Sequence, residues 1–429
     1  MPKSDILQGF ADKGDVVGIC VSGGLDSKTV ALRLVKAGVK VKCFTADLGQ
    51  PDEENVQDVI KKMAPCGVET TVVDLKDDMA EAAFECIACQ AQYDGGYWQS
   101  TGLGRFVTAR GLLKELKKQG CTVLSHGATG RGNDQVRFER YVNVMDPSFK
   151  VYAPWRDAAL LEEFPGRTQM LDYLKSHNIE HTIVSTSKAR YSTDANMCGL
   201  SNEAEDLEKL TTAMTIVNPV MGVWPKDAPN ETEEVTIRFE HGRCVAINGK
   251  SVTPVEALTE ANKLAGRNGI GISHALENRI LGTKSRGVYE APGMTLLGQA
   301  IVFVYQAVLD RRSTTLFKSL SSHIADQIYD GRYFDPSTRV AINAIWELAT
   351  PATGTVKIGL FKGHMNFLSL VDCPHSLYFE ADASMEASEG LNPVSSQGFL
   401  EVSSVEAKSM AKAGQIDTES VYLKRRKLQ

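Results

Sequence analysis

The stretch VVGICVSGGLDSKTVALRLV constrains this chain more than any other. An apolar run ending at Val21 reads as a buried strand, and the periodicity that resumes near Leu25 reads as a helix. Between them SGGLDS leaves room only for a sharp turn. Gly23 and Gly24 permit it, and successive backbone N–H groups then converge with the helix N-terminus on one point. That arrangement is a cradle for phosphate oxygens. Ser22 and Ser27 add hydroxyl donors, while Asp26 has the chemistry to orient the loop or to bind Mg2+. Neither a Walker loop nor a dinucleotide-binding fingerprint follows the strand, so kinase and dehydrogenase readings lose support.

From Asp15 to about Ser125, short apolar runs (VVGICV, VKCFTA, ETTVVDL, CTVLSH) alternate with helical periodicities, the mark of a parallel sheet flanked by helices. The spacing of Phe106, Leu112, Leu113 and Leu116 predicts a helix over 103–119 that lies against that sheet. Beyond about residue 180 the pattern becomes α+β. EVTIRFEHGRCVAING predicts a hairpin turning at His241 and Gly242, and TVKIGLFKGHMNFLSLV predicts another around Lys362 to His364. Helices are expected near 253–266, 292–310 and 335–349, with a Pro-rich excursion over 216–233. An amphipathic stretch from about Ser403 ends in the basic tail LKRRKLQ. A nucleotide-binding domain over 1–178, a substrate domain over 179–402 and a C-terminal helix and tail over 403–429 are expected.

At 429 residues with 43% apolar content, two domains fit better than one. A net charge of −6 gives no basic footprint for nucleic acid, and no apolar run is long enough to span a bilayer. Nine scattered cysteines, with no leader before Val16, fit a reduced cytoplasmic protein rather than a disulfide framework. The Cys86-x-x-Cys89 pair lacks the partners of a metal site and reads as buried thiols. His126 reads as a packed ring beside a loop.

That loop is the second informative feature. After CTVLSH comes GATGRGNDQVRFER, which concentrates Thr129, Arg131, Asn133, Asp134, Gln135 and Arg137 at the carboxyl end of a strand, where open α/β sheets place ligands. The first loop resembles the pyrophosphate loop of the N-type ATP pyrophosphatases, which cleave ATP between the α and β phosphates. With LGQPDEE, SHGATGRGNDQVRFE, YAPWRD, YSTDANM, ENRILGTKSRGVYEAPG and IYDGRYFDP in order, the chain resembles the argininosuccinate synthase family over most of its length.

The resemblance implies an adenine nucleotide α-hydrolase-like domain joined to a synthetase domain and an oligomerisation helix, in a cytoplasmic homotetramer serving arginine biosynthesis. It implies ATP held by Cys20, Val21, Ser22, Gly23, Gly24, Leu25, Asp26 and Ser27, with Ala46, Gly127 and Gly130, and Mg2+ arriving with the nucleotide rather than on dedicated ligands. Aspartate falls to Thr129, Asn133 and Asp134, and citrulline to Tyr97, Asn133, Arg137, Ser192, Ser201, Glu277 and Tyr289. Asp26 and Asp134 are the catalytic candidates, Asp134 as the base for the aspartate amine. The partners implied are small molecules, with neither nucleic acid nor membrane. Lys28, Gly102 and Val21 depart from the family pattern, which keeps open a modified ureido acceptor, or a silent paralogue that binds nucleotide or amino acid.

Overall fold

In the computed structural model, residues 4–130, 132–179, 191–384 and 392–421 are described. Arg131 and the tail LKRRKLQ lie outside them. The chain divides into a unit of Met1–His375 and a second of Ser376–Gln429.

The first unit opens with five parallel strands, β1 (Val16–Cys20), β2 (Lys40–Asp47), β3 (Glu69–Asp74), β4 (Val123–Ser125) and β5 (Lys150–Tyr152), in the order β3-β2-β1-β4-β5. The chain order reverses between β1 and β4, and a crevice opens outside their carboxyl ends. β1 is buried on both faces, which explains its unbroken apolar sequence. Gly18 is required within it: a Cβ there would come within 2.6 Å of Leu116 on the helix Ser100–Lys118. That helix, expected over 103–119, lies against the sheet.

The helix Leu25–Lys36 that follows β1 buries Leu25, Val30, Ala31, Leu32 and Leu34. Arg33, almost wholly buried, anchors it by a 2.6 Å ion pair to Glu163. Breaking such a buried pair costs about 3 kcal/mol, so the helix is held firmly under the loop it supports.

Two antiparallel sheets follow. β6 (Ser192–Asn196), β7 (Gly199–Glu203), β11 (Ile272–Asn278) and β12 (Lys284–Glu290) order as β11-β12-β7-β6. β8 (Glu233–Glu240), β9 (Arg243–Ile247), β10 (Lys250–Ser251), β13 (Gly354–Phe361) and β14 (His364–Val371) order as β10-β9-β8-β13-β14. The hairpin turns are where the sequence puts them: His241 and Gly242 have φ of 49° and 79°, Lys362 and Gly363 of 44° and 84°, the left-handed pair that a tight hairpin demands. The expected helices are Pro254–Arg267, Pro292–Val308 and Pro336–Ala349, each with proline in its first turn. A further helix, Arg311–Tyr329, is capped by Asp310, which accepts from the N–H groups of Arg312 and Ser313. One core runs from Phe44 through Leu103 and Leu297 to Leu360, so elements on both sides of residue 178 share it.

The second unit carries the helix Ser395–Lys412, which starts at Ser395 rather than near 403. Val394, Phe399, Leu400, Val402 and Val405 are all exposed there.

Candidate active site

The turn after β1 is tight. Gly23 has φ of 76°, and the N–H of Ser22 donates to Ser27 Oγ at 3.1 Å, closing the loop onto the helix. The hydroxyl of Thr45 on β2 donates to the Val21 carbonyl at 2.6 Å and fixes the strand end. Gly24 precedes the helix without a side-chain cap, which leaves the first-turn N–H groups directed at the crevice. Cys20, Val21 and Leu25 support the loop from beneath, Ser22 and Asp26 are exposed at its rim, and Ala46 lies at the end of the neighbouring strand. Lys28 is 7% exposed and sits on the Cys66 side of the helix, so it does not reach out to solvent.

From β4 the chain continues through 126–133 into the helix Asp134–Met145. Gly127, Thr129 and Gly130 are exposed along this loop, facing the same crevice end as the first. Asp134 begins the helix and is gripped from both sides. Its Oδ2 accepts from Arg105 at 2.9 Å and its Oδ1 from Arg137 at 3.0 Å. Burial alone pushes its carboxyl up, but Arg105 and Arg137 together outweigh burial and hold it at about 2. Arg105 also donates to Asp194 at 2.6 Å, which ties β6 to the cluster.

A cavity of about 100 Å3 opens beside this cluster, lined by Tyr97, Thr101, Gly132, Asn133, Asp134, Arg137, Glu203, Glu277, Arg279 and Ser285. Five of the residues singled out in the sequence therefore line one cavity: Tyr97, Asn133, Asp134, Arg137 and Glu277. Tyr289 stands behind them, its ring 4.2 Å from that of Tyr97 and its hydroxyl donating to Glu277. Ser201 is paired with Tyr289 across β7 and β12 and is buried one strand away. Ser192 is exposed on the edge strand, and Thr129 lies on the loop outside the cavity wall. At Gly102 an added Cβ would touch Ile328 at 3.4 Å, so the position leaves only van der Waals room.

Four members of this cluster carry no local signal in the sequence: Arg105 and Asp194, which stand behind Asp134, and Glu203 and Arg279, which line the cavity. Glu203 and Arg279 face each other at 3.5 Å. Burial, together with the Glu277 carboxylate, pushes the Glu203 carboxyl up to about 7 against the opposing pull of Arg279. Burial likewise raises the Glu277 carboxyl, with Tyr329, Arg137 and Arg279 opposing.

His126 stacks on Phe138 at 5.3 Å and its Nδ1 accepts from the N–H of Ala128, so the ring is a neutral, packed support for the loop. Burial and Arg156 push it down to about 4. Cys86 is buried and its thiol donates to the carbonyls of Ala91 and Trp98. No cluster of metal-binding side chains occurs among the described residues.

Comparison with known proteins covers nearly the whole chain. Residues 16–180 match the arginosuccinate synthase N-terminal HUP domain, and residues 191–410 match the arginosuccinate synthase C-terminal domain. The argininosuccinate synthase of Rhodopirellula baltica is 37% identical over 388 residues, which covers 90% of this chain and 95% of that protein.

Replacing Asp134 by Asn leaves the buried Arg137 guanidinium without its carboxylate, while Arg105 keeps Asp194, and is expected to cost about 3 kcal/mol of stability at pH 7. The wild-type carboxylate stabilises the fold fully above its ordinary value of 3.8 and loses this as pH falls toward about 2. Denaturant unfolding of both proteins is thus expected to show a gap that narrows below pH 3.8; a gap independent of pH would contradict the ion-pair account.

Proposed function

The chain belongs to the argininosuccinate synthase family, and from that premise we propose how its site joins citrulline to aspartate at the expense of ATP. The activity is that of an ATP-dependent carbon–nitrogen ligase. The observation that carries the assignment of roles is the single cavity lined by Glu277 and, at the start of the helix that follows β4, by Asn133, Asp134 and Arg137; β4 is paired with β1, whose strand-to-helix turn is the candidate phosphate site.

In this reading the N–H groups from Cys20 to Ser27 take the ATP phosphates, and Ala46, Gly127 and Gly130 flank the nucleotide. Thr129, Asn133 and Asp134 receive aspartate, whose ammonium meets the fixed negative charge of Asp134. Citrulline lies against Tyr97, Asn133, Arg137, Ser192, Ser201, Glu277 and Tyr289, its α-ammonium toward Glu277. The ureido oxygen attacks the α-phosphorus and pyrophosphate leaves. The aspartate amine then attacks the ureido carbon, and AMP departs carrying the former ureido oxygen. The reaction needs no covalent bond to the protein, so positioning and charge stabilisation are the protein's contribution. The exposed Asp26 carboxylate and the Ser27 hydroxyl are hard oxygen donors of the kind that suits Mg2+. Bound there with ATP, the ion would screen charge on the departing pyrophosphate.

The attacking amine must lose a proton. Asp134, held at about 2, is a firm anchor but a weak base, whereas Glu203 on the same wall is held at about 7. We assign the base to Glu203 and the orientation of the amine to Asp134. The exposed apolar residues of the helix Ser395–Lys412 support self-association, and the family resemblance supplies the count of four. Nine free thiols support a cytoplasmic setting.

Pyrophosphate release is expected only when Mg-ATP and citrulline are both present, with argininosuccinate appearing once aspartate is added. Release without citrulline, or none at all, points to a changed acceptor or to the silent-paralogue reading. With Glu203→Gln, kcat is expected to fall roughly 100-fold and the acid limb of the kcat profile to vanish; an unchanged limb would return the base to another group.

A further inference from the structure

Tyr329 ends the helix Arg311–Tyr329 within the motif IYDGRYFDP, and it is 1% exposed. No substrate role fell to it in the sequence, yet it touches three residues that line the cavity, Asn133, Arg137 and Glu277. Its hydroxyl donates to Glu277 Oε2 at 2.5 Å and accepts from Asn133 Nδ2 at 2.9 Å. One proton and one lone pair thus complete a chain from Asn133 through Tyr329 to Glu277. The Asn133 amide is pinned at its other end, where Oδ1 accepts from the N–H of Ile280 at 3.0 Å. Its orientation is therefore set by two partners on different elements.

The rest of Tyr329 is equally engaged. Its carbonyl accepts from Arg137 Nε at 2.9 Å, and the Arg137 guanidinium sits 4.9 Å from its ring centre. The opposite ring face stacks on Tyr93 at 3.7 Å. Gly331, at φ of 74°, lets the following turn press against Arg137, where a Cβ would lie 3.1 Å from the Arg137 Cα. Glu277 is also faced by the hydroxyl of Tyr289 and by Arg137, Arg279, Asp94 and Glu203.

We infer that Tyr329 is a positioning residue that couples the two amino-acid subsites, by fixing the Glu277 carboxylate and the Asn133 amide through one hydroxyl. The inference rests on the functional reading above. Asn133 serves both substrates in that reading, while Glu277 serves only the ureido one. Loss of the hydroxyl then loosens both subsites together and leaves the nucleotide loop untouched.

The test is Tyr329→Phe, which keeps the ring between Tyr93 and Arg137 and removes only the oxygen. The KM for citrulline is expected to rise roughly 10- to 100-fold, the loss of a hydrogen bond to a charged group. The KM for aspartate should rise less, the KM for ATP should hold, and kcat should change less than the citrulline KM. Because the hydroxyl stabilises ionised Glu277, its removal leaves that carboxyl protonated to higher pH. The acid limb of kcat/KM for citrulline therefore moves upward, which a role in packing alone would not produce. Tyr93→Phe, which retains the ring stack, is expected to leave all three KM values unchanged. An unaltered citrulline KM and pH profile in Tyr329→Phe would overturn the coupling. If instead the wild-type protein releases no pyrophosphate with citrulline, the functional reading has failed, not this inference alone.

Discussion

The constraint on which everything else rests is the reversal of strand order between β1 and β4. Parallel strands joined by helices on opposite faces leave a crevice only at that point, and both loops that matter leave the sheet there. The SGGLDS turn follows β1, and the polar loop leading to Asp134 follows β4. Had the chain order been monotonic, a helix would have covered one of those ends. The Arg33–Glu163 pair and the Gly18–Leu116 contact hold the two helices that back these strands at fixed depth.

On that frame the site is a problem of keeping like charges together. Asp134, Glu203 and Glu277 line one small cavity with Arg137 and Arg279 between them, and Arg105 ties Asp134 to Asp194 behind it. The outcome is two kinds of carboxylate. Asp134, with two arginines on it, stays ionised under all ordinary conditions, whereas Glu203, facing Glu277 with only Arg279 in opposition, titrates near neutrality. A reaction that must bind ammonium groups and also remove a proton from one of them needs both kinds. Neighbours of opposite influence set the two kinds apart, and the roles proposed above rest on that difference.

Much of this was legible in the chain itself, and what was not has a physical cause. The strand, turn and helix around SGGLDS follow from burial on both faces and from the geometry that Gly23 permits. The two hairpins follow from glycine at positions of positive φ. β6, β7, β11 and β12 escaped because STDAN, GLSNE, ISHALEN and KSRGVYE turn polar side chains toward the site, which erases the alternation that marks a strand. The network on Tyr329 escaped for another reason. Asn133 lies 196 residues away from it and Glu277 lies 52 away, so no local pattern links them. The same holds for Arg105 and Asp194, 89 residues apart. Pairing at such separations is decided by the packing of whole elements.

The central claim is that the ureido oxygen is transferred to AMP through an adenylated intermediate on this site. The direct measurement is one turnover with citrulline carrying heavy oxygen in the ureido group, followed by mass analysis of the nucleotide and the condensed product. The account predicts that the label appears in the phosphate of AMP and is absent from argininosuccinate. Label found in pyrophosphate, or unlabelled AMP, would contradict it.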